Sequence, residues 1–216
     1  MTVLHTDESV TVCVKSAGAG SETDMPELLR AAGAGPALCV HRLDTAVGGV
    51  MVYAKTPRAA SALSREIAAG GMEKTYIAVC AGVPEPSEGE MCDLLFKDSR
   101  ANKSYVVRRE RKGVRRARLE YVLLGTLGEG ERTRSLVRVR LHMGRSHQIR
   151  VQFASRKMPL LGDGKYGSRI GGEIALWSYS LSFTHPGTGG RVSFTAPPPE
   201  REPWSAFAKG ESNAEF

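Results

Sequence analysis

The 216-residue sequence has no long hydrophobic run, no Cys-x-x-Cys pair and no N-terminal leader pattern. A membrane helix needs about 18–20 consecutive apolar residues, so a spanning protein is not expected. Residues 1–12 contain Asp7 and Glu8 where a signal peptide would have a basic region and an apolar stretch. Hydrophobic residues are 41% and charged residues 25% of the chain, which is typical of a folded globular protein.

The four cysteines, Cys13, Cys39, Cys80 and Cys92, are scattered along the chain. The first three lie in apolar runs, as buried thiols do. Their spacing predicts neither a metal site nor a disulfide framework, and it favours a reducing cytoplasm. We therefore expect a cytoplasmic protein without a bound metal.

The charge balance is basic, with 30 Lys and Arg residues against 23 Asp and Glu residues, a net charge of +7. Such an excess favours a polyanionic partner, of which nucleic acid is the commonest. Many soluble proteins are mildly basic without binding nucleic acid, so charge alone leaves both interpretations open.

Periodicity and turn residues predict many strands and few helices. Thr56-Pro57 opens a helix that ends at Gly70-Gly71. Residues 146–156 fit either a helix capped by Ser146 or an alternating strand. The other predicted elements are a helix at 24–32, strands at 10–14, 49–55, 74–81, 103–109, 117–124 and 135–142, and a hairpin of 177–183 with 191–195.

Because the helices do not alternate strictly with the strands, the pattern favours an α+β fold. We expect one domain over residues 1–200, with residues 83–90 as a connection and residues 201–216 as a polar tail. We expect the protein to be a monomer.

Two segments carry candidate site residues. The first, VHRLDTAVGG, holds His41, Arg42 and Asp44 just before a predicted strand, where glycines allow a ligand or a backbone to approach closely. A plain turn with a local ion pair fits the same pattern. The second segment, residues 142–167, gathers basic and polar side chains around glycines and a candidate helix start, which suits phosphate binding.

Arg150 stands between Ile149 and Val151 in the second segment. A partly buried guanidinium needs an anionic partner, and Asp44 is the candidate that we favour. Asp163 in the GDGKYG stretch is expected to be structural and to tie a loop through its side chain.

The sequence resembles the RluA-type pseudouridine synthases in the order of its motifs. These are HRLD followed by a glycine and an apolar strand ending in AKT, then KTYIA, GRSHQIRV and GDGKYG. The resemblance covers about residues 3–199. It departs at Ser16, where the family usually has proline, and at residues 45–49. It implies the pseudouridine synthase catalytic fold, with a mixed, mostly antiparallel central sheet and flanking helices. No S4-type RNA-binding domain is expected before the catalytic region.

The resemblance implies that uridine in rRNA or tRNA is isomerised to pseudouridine without a cofactor. By this resemblance Asp44 is the catalytic carboxylate, acting as a nucleophile at C1′ or as a base at C2′, and Arg150 is its partner. Tyr76 and Ile149 are expected to pack on either side of the flipped base. Arg42 is expected to enter the base stack.

Candidate contacts with RNA phosphate or ribose are Lys74, Arg145, His147 and Gln148, and His41 is a further candidate substrate-binding residue. Residues 100–118 contain nine Lys or Arg and one acid, and they either follow the RNA backbone or form a solvated hairpin. Two other functions fit parts of the pattern. One is an RNA-binding module without catalysis, and the other is a hydrolase using Asp44, for which no second carboxylate is evident.

Overall fold

The structure is a computed structural model that describes residues 1–208. Four α-helices are present in these residues: α1 (Asp24–Ala31), α2 (Pro57–Ala68), α3 (Gln148–Ser155) and α4 (Trp204–Ala208). The strands are β1 (Thr2–Thr6), β2 (Val10–Lys15), β3 (Leu38–Cys39), β4 (Gly48–Ala54), β5 (Glu73–Ala81), β6 (Glu88–Asp98), β7 (Lys103–Val107), β8 (Val114–Leu127), β9 (Arg134–Leu141), β10 (Leu176–Thr184) and β11 (Arg191–Thr195).

The chain folds into two compact units. The first comprises Met1–Thr75 and Trp177–Pro197, and the second comprises Tyr76–Leu176 and the residues from Pro198. The prediction of a single domain over residues 1–200 stays a prediction.

In the first unit the strand order is β1-β2-β4-β10, with β3 also paired to β4 and β11 to β10. The β4–β10 pair is parallel and the others are antiparallel. All seven residues of β4 are buried, which explains its unbroken apolar sequence. Helix α2 covers this part of the sheet through Ala59 and Leu63, and the side chain of Thr56 accepts a hydrogen bond from the N–H of Ala59 at 3.1 Å, as the N-cap prediction requires.

In the second unit the strand order is β5-β9-β8-β6-β7. The pairs β6–β7, β6–β8 and β8–β9 are antiparallel. Leu95 of β6 and Ala117 of β8 pack with Val151 of α3, so this helix covers one face of the sheet. The mixed, mostly antiparallel strands with few helices confirm the α+β prediction.

Several parts of the chain differ from the sequence-based expectation, and strands β1 and β3 were not predicted. Residues 83–90 were expected to be a connection, but β6 begins within them at Glu88 and runs to Asp98. The ambiguous segment at 146–156 is a helix, and it starts after His147 rather than at Ser146. The predicted polar tail begins with α4, whose Trp204 and Phe207 are buried; residues 209–216 of that tail lie outside the described residues.

The longest helix, α2, has twelve residues. Within residues 1–208 no helix is both long enough and apolar enough to cross a bilayer.

Candidate active site

Asp44 lies in the loop before β4, between two residues whose backbones are held by buried side chains. The buried hydroxyl of Ser21 donates to the carbonyl of Leu43 at 3.0 Å and lies 3.2 Å from the Leu43 nitrogen, whose N–H donates to it. On the other side, the carbonyl of Thr45 accepts from the Gly18 N–H at 2.8 Å and from Lys15 Nζ at 3.1 Å. The partly exposed Asp44 is therefore fixed from both sides by the segment that follows β2.

Lys15 is fully buried at the end of β2. Its ammonium donates to the carbonyls of Ser16, Ala19 and Thr45 at 3.1, 2.7 and 3.1 Å. Burial lowers the pKa of Lys15 to about 8, although attraction to Asp44 and Asp24 works in the opposite direction. The sequence analysis missed this lysine as a site residue, because its contact with Thr45 spans 30 positions.

Arg42, predicted to enter the base stack, is exposed and forms an ion pair with Glu22 at 3.0 Å. Both side chains are more than half exposed, so the pair is weak and easily exchanged for another anion. Arg42 is therefore at the surface beside Asp44, where a nucleic acid can reach it.

His41 and Lys74, which were predicted to contact RNA, lie in buried surroundings. His41 Nε2 accepts a hydrogen bond from the Val52 N–H at 3.1 Å, so its ring supports β4. Burial, with the nearby charge of Lys74, lowers the pKa of His41 to about 3, and burial also lowers the pKa of Lys74. His41 is thus neutral at ordinary pH and cannot serve as a cationic phosphate ligand.

One of the glycines expected to admit a ligand or a backbone admits a neighbouring strand. Gly49 has a φ of +122°, and a Cβ there would lie 2.2 Å from the carbonyl oxygen of Ser178 in β10. The close approach that the sequence predicted is that of a backbone in the parallel β4–β10 pair.

In the second unit, the predicted residues of the GRSHQIRV segment gather at the start of α3. His147 has a left-handed φ of +54°, an unusual conformation for a non-glycine residue. Gln148 is 2% exposed and holds this turn: its Oε1 accepts from the Arg145 N–H at 3.1 Å, and its Nε2 donates to the Arg118 carbonyl at 3.1 Å. Gln148 therefore offers almost no surface for the predicted contact with RNA, whereas Arg145 is exposed.

Arg150 has an anionic partner within its own unit. Its Nε and Nη2 donate to the two carboxylate oxygens of Asp163 at 2.7 and 2.8 Å, and both side chains are buried. The Asp163 carboxylate fastens its loop to the guanidinium on α3, which confirms the expectation that Asp163 ties a loop through its side chain. Pairing of Arg150 with Asp44 stays a prediction.

Tyr166 links this ion pair to β7. Its ring centroid lies 5.2 Å from the Arg150 guanidinium, and its hydroxyl accepts from the Ser104 N–H at 2.8 Å. The hydroxyl is also 2.9 Å from His147 Nδ1. If the hydroxyl donates to Nδ1, a neutral His147 ring carries its proton on Nε2. Nothing near Tyr166 in the sequence indicated this arrangement, since Ser104 lies 62 positions away.

The two residues expected to hold the base lie on regular elements of the second unit. Tyr76 is in β5 and Ile149 in α3, and they are 7% and 3% exposed. Buried aromatic and apolar side chains on a strand and a helix can equally serve the core, so their position alone does not assign them to a base pocket.

His5, Asp7 and His185 form a cluster of possible metal ligands in the first unit. Asp7 Oδ2 lies 3.1 Å from His5 Nε2 and 2.8 Å from His185 Nε2. His185 Nδ1 accepts from the N–H groups of Gly187 and Thr188, both at 3.2 Å, so the neutral ring carries its proton on Nε2. That proton occupies the position a metal would need, and it favours a contact with the Asp7 carboxylate instead.

Comparison with solved structures defines the class of fold. The human RNA pseudouridylate synthase domain containing 1 protein matches 93% of this chain and 84% of its own, with a TM-score of 0.79 and 21% identity. The human RNA pseudouridylate synthase domain containing 4 protein matches 92% and 88%, with a TM-score of 0.75 and 21% identity. The fold is therefore that of the pseudouridylate synthases.

Sequence comparison identifies the family. The model of the RNA pseudouridylate synthase family matches residues 10–155. An uncharacterised RNA pseudouridine synthase of Aquifex aeolicus is 36% identical over 74% of this chain and 53% of its own length. The ribosomal large subunit pseudouridine synthase D of Neisseria meningitidis is 32% identical over 91% of this chain and 58% of its own length.

The chain belongs to the RNA pseudouridylate synthase family, which confirms the resemblance seen in its motifs. It spans about half the length of the curated relatives that it matches.

Proposed function

We propose that the protein isomerises specific uridines in structured RNA, either rRNA or tRNA, to pseudouridine. The observation that carries this proposal is the clamped position of Asp44, between Leu43 held by Ser21 and Thr45 held by Lys15. A catalytic group must be held close to its productive geometry by residues that are themselves fixed. Family membership supports the same activity.

The reaction breaks the N1–C1′ bond of uridine, turns the base and forms a C5–C1′ bond. The C5 proton is lost and N1 gains a proton, so atoms and electrons balance without an external reactant. Asp44 acts either as the nucleophile at C1′ or as the base that removes the C2′ proton. Both roles require the carboxylate form and partial exposure, and Asp44 is partly exposed.

The remaining residues act on the RNA. Arg42 leaves Glu22 and fills the gap left by the flipped uridine, whose extrusion costs a few kcal/mol. Tyr76 and Ile149 enclose the uracil, and Arg150 orients Asp44. Arg145, which is exposed, contacts the RNA backbone.

The test uses RNA labelled with tritium at C5 of uridine, because forming the C5–C1′ bond releases that label. Wild-type protein is expected to release tritium from cellular rRNA or tRNA, and the Asp44→Asn variant is not. Binding of the RNA without tritium release by the wild type would instead support an RNA-binding module without catalysis. Mapping the modified uridines in cells with and without the protein identifies the substrate.

A further inference from the structure

A strip of apolar and aromatic side chains lies on the outer face of β6 and β7. Leu95 packs toward α3, so its neighbours Leu94 and Phe96 point to the opposite face of the sheet. Phe96 is paired directly with Tyr105 across the two strands, and Leu94 with Val107. We call Leu94, Phe96, Tyr105 and Val107 the aromatic strip.

The strip is unusual because part of it is open to solvent. The Tyr105 side chain is among the large hydrophobic side chains left exposed, with 42% of its surface accessible. Strand β7 ends the strand order of its unit, so it is an edge strand. An exposed aromatic on an edge strand invites association, and its presence indicates a surface kept for a partner.

Positively charged side chains lie over the aromatic rings of the strip. The guanidinium of Arg111 lies 4.6 Å from the Phe96 ring centroid, and the ammonium of Lys103 lies 5.7 Å from that of Tyr105. Cation–π contacts hold these long side chains next to the strip. A planar guanidinium on a ring can also stack on a nucleobase.

The loop between β7 and β8 adds further positive charge. Arg108, Arg109 and Lys112 are exposed, and within residues 1–208 they form no ion pair. Glu110, the acid in this stretch, is bound by Arg116 at 2.8 Å. A groove of about 440 Å³ lies beside the strip, lined by Leu94, Glu110, Arg111, Val114, Arg115 and Arg116.

We propose that the aromatic strip and its cations bind an unpaired segment of the RNA substrate, with a base stacked on Tyr105 and phosphates held by the arginines of the β7–β8 loop. The proposal rests on the proposed function for the identity of the RNA. Stacking on aromatic rings beside a basic groove is how proteins hold single strands without reading sequence. A duplex fits less well, because its bases are already stacked on one another.

The experiment measures binding of a short single-stranded RNA that carries 2-aminopurine, and of the same sequence as a blunt duplex. Tyr105→Leu is expected to weaken single-strand binding about 5- to 100-fold. Tyr105→Phe keeps the ring and serves as the matched control, with binding within about two-fold of wild type. Quenching of 2-aminopurine in the wild-type complex should be reduced in Tyr105→Leu.

The salt dependence separates stacking from phosphate contacts. Tyr105→Leu should leave the slope of log affinity against log salt unchanged, because no charge is removed. The double variant Arg108→Gln/Arg109→Gln should lower that slope by about 1.4, at about 0.7 for each phosphate contact on a single strand. Duplex binding should respond to the arginine variant and not to Tyr105→Leu.

Equal single-strand affinity and quenching in Tyr105→Leu and wild type would overturn the proposal. Tighter binding of a polyglutamate probe than of RNA would also overturn it, in favour of an acidic protein partner. Thermal unfolding of each variant checks that it is folded. Because binding is measured without turnover, the proposal and the isomerase activity can fail independently of each other.

Discussion

Arg150 and Asp163 form a bidentate ion pair in which both side chains are almost fully buried, at 6% and 1% exposure. The pair joins helix α3 to the loop after Leu160, and the ring of Tyr166 lies against the same guanidinium. Leaving a buried charge without its partner costs several kcal/mol of folding free energy, so the pair holds the Arg150 side chain in one geometry. Arg150 therefore has a structural role in addition to its proposed role in catalysis.

Removing the carboxylate should strongly destabilise the fold. We expect Asp163→Asn to lower the free energy of unfolding by about 3 kcal/mol or more, because a buried guanidinium is left uncompensated. The measurement is urea unfolding. The control is Glu173→Gln, whose pair with Arg201 is exposed and should contribute less than about 1 kcal/mol. Equal decreases in the free energy of unfolding of the two variants would show that the buried pair stabilises the fold no more than the exposed pair does.

A double variant separates the structural role of Arg150 from its proposed action on Asp44. Arg150→Leu alone leaves Asp163 unpaired, so lost activity could reflect unfolding. Arg150→Leu/Asp163→Leu removes both charges and should recover most of the lost stability. We expect this folded double variant to have little single-turnover activity, because Asp44 has lost the group proposed to orient it. Wild-type activity in the double variant would remove Arg150 from the mechanism.

Lys15 predicts a specific pH dependence of stability. Its pKa is about 8 in the folded protein and near its ordinary value of about 10.4 in the unfolded chain. Between these values the unfolded chain binds more protons, so stability rises with pH. Relative to Lys15→Met, the wild-type free energy of unfolding should increase from pH 8 to pH 10, by up to about 1.4 kcal/mol per pH unit. Parallel pH profiles of the two proteins would contradict this assignment.

Glu22 should compete with RNA for Arg42. Glu22→Gln frees the guanidinium from its 3.0 Å ion pair, and we expect RNA to bind up to about five-fold more tightly, in keeping with an exposed pair worth less than about 1 kcal/mol. Glu27→Gln is the matched control, since it removes the same charge from an exposed position on α1. The same gain in both variants would mean that only net charge matters.

The predictable parts of the fold are those with local signals. Thr56 and Pro57 mark the start of α2, and the apolar run of β4 reflects burial on both faces. Strand β6 was not predicted because prolines and acids precede it and its exposed residues dilute the apolar pattern. Helix α3 was ambiguous because six of its eight residues are buried, which removes the helical period.

The site follows the same rule. Asp44 and Arg150 were predicted through motifs, and the family that the motifs indicated is confirmed. The residues that position them could not be read locally, because Lys15, Ser21 and Tyr166 act on backbone or side chains that are distant in the sequence. In the sequence these three residues do not differ from other lysine, serine and tyrosine residues, and their roles become visible only when the fold brings their partners close.

The most direct test of the account is single-turnover isomerisation by Asp44→Asn, with RNA affinity measured on the same preparation. The substitution keeps the shape of the side chain and removes both the nucleophile and the base. We expect turnover below about one per cent of wild type, consistent with the 10²–10⁴-fold contribution of a positioned proton-transfer group, and RNA affinity within a few-fold. Turnover well above one per cent in the folded variant would contradict the central role of Asp44.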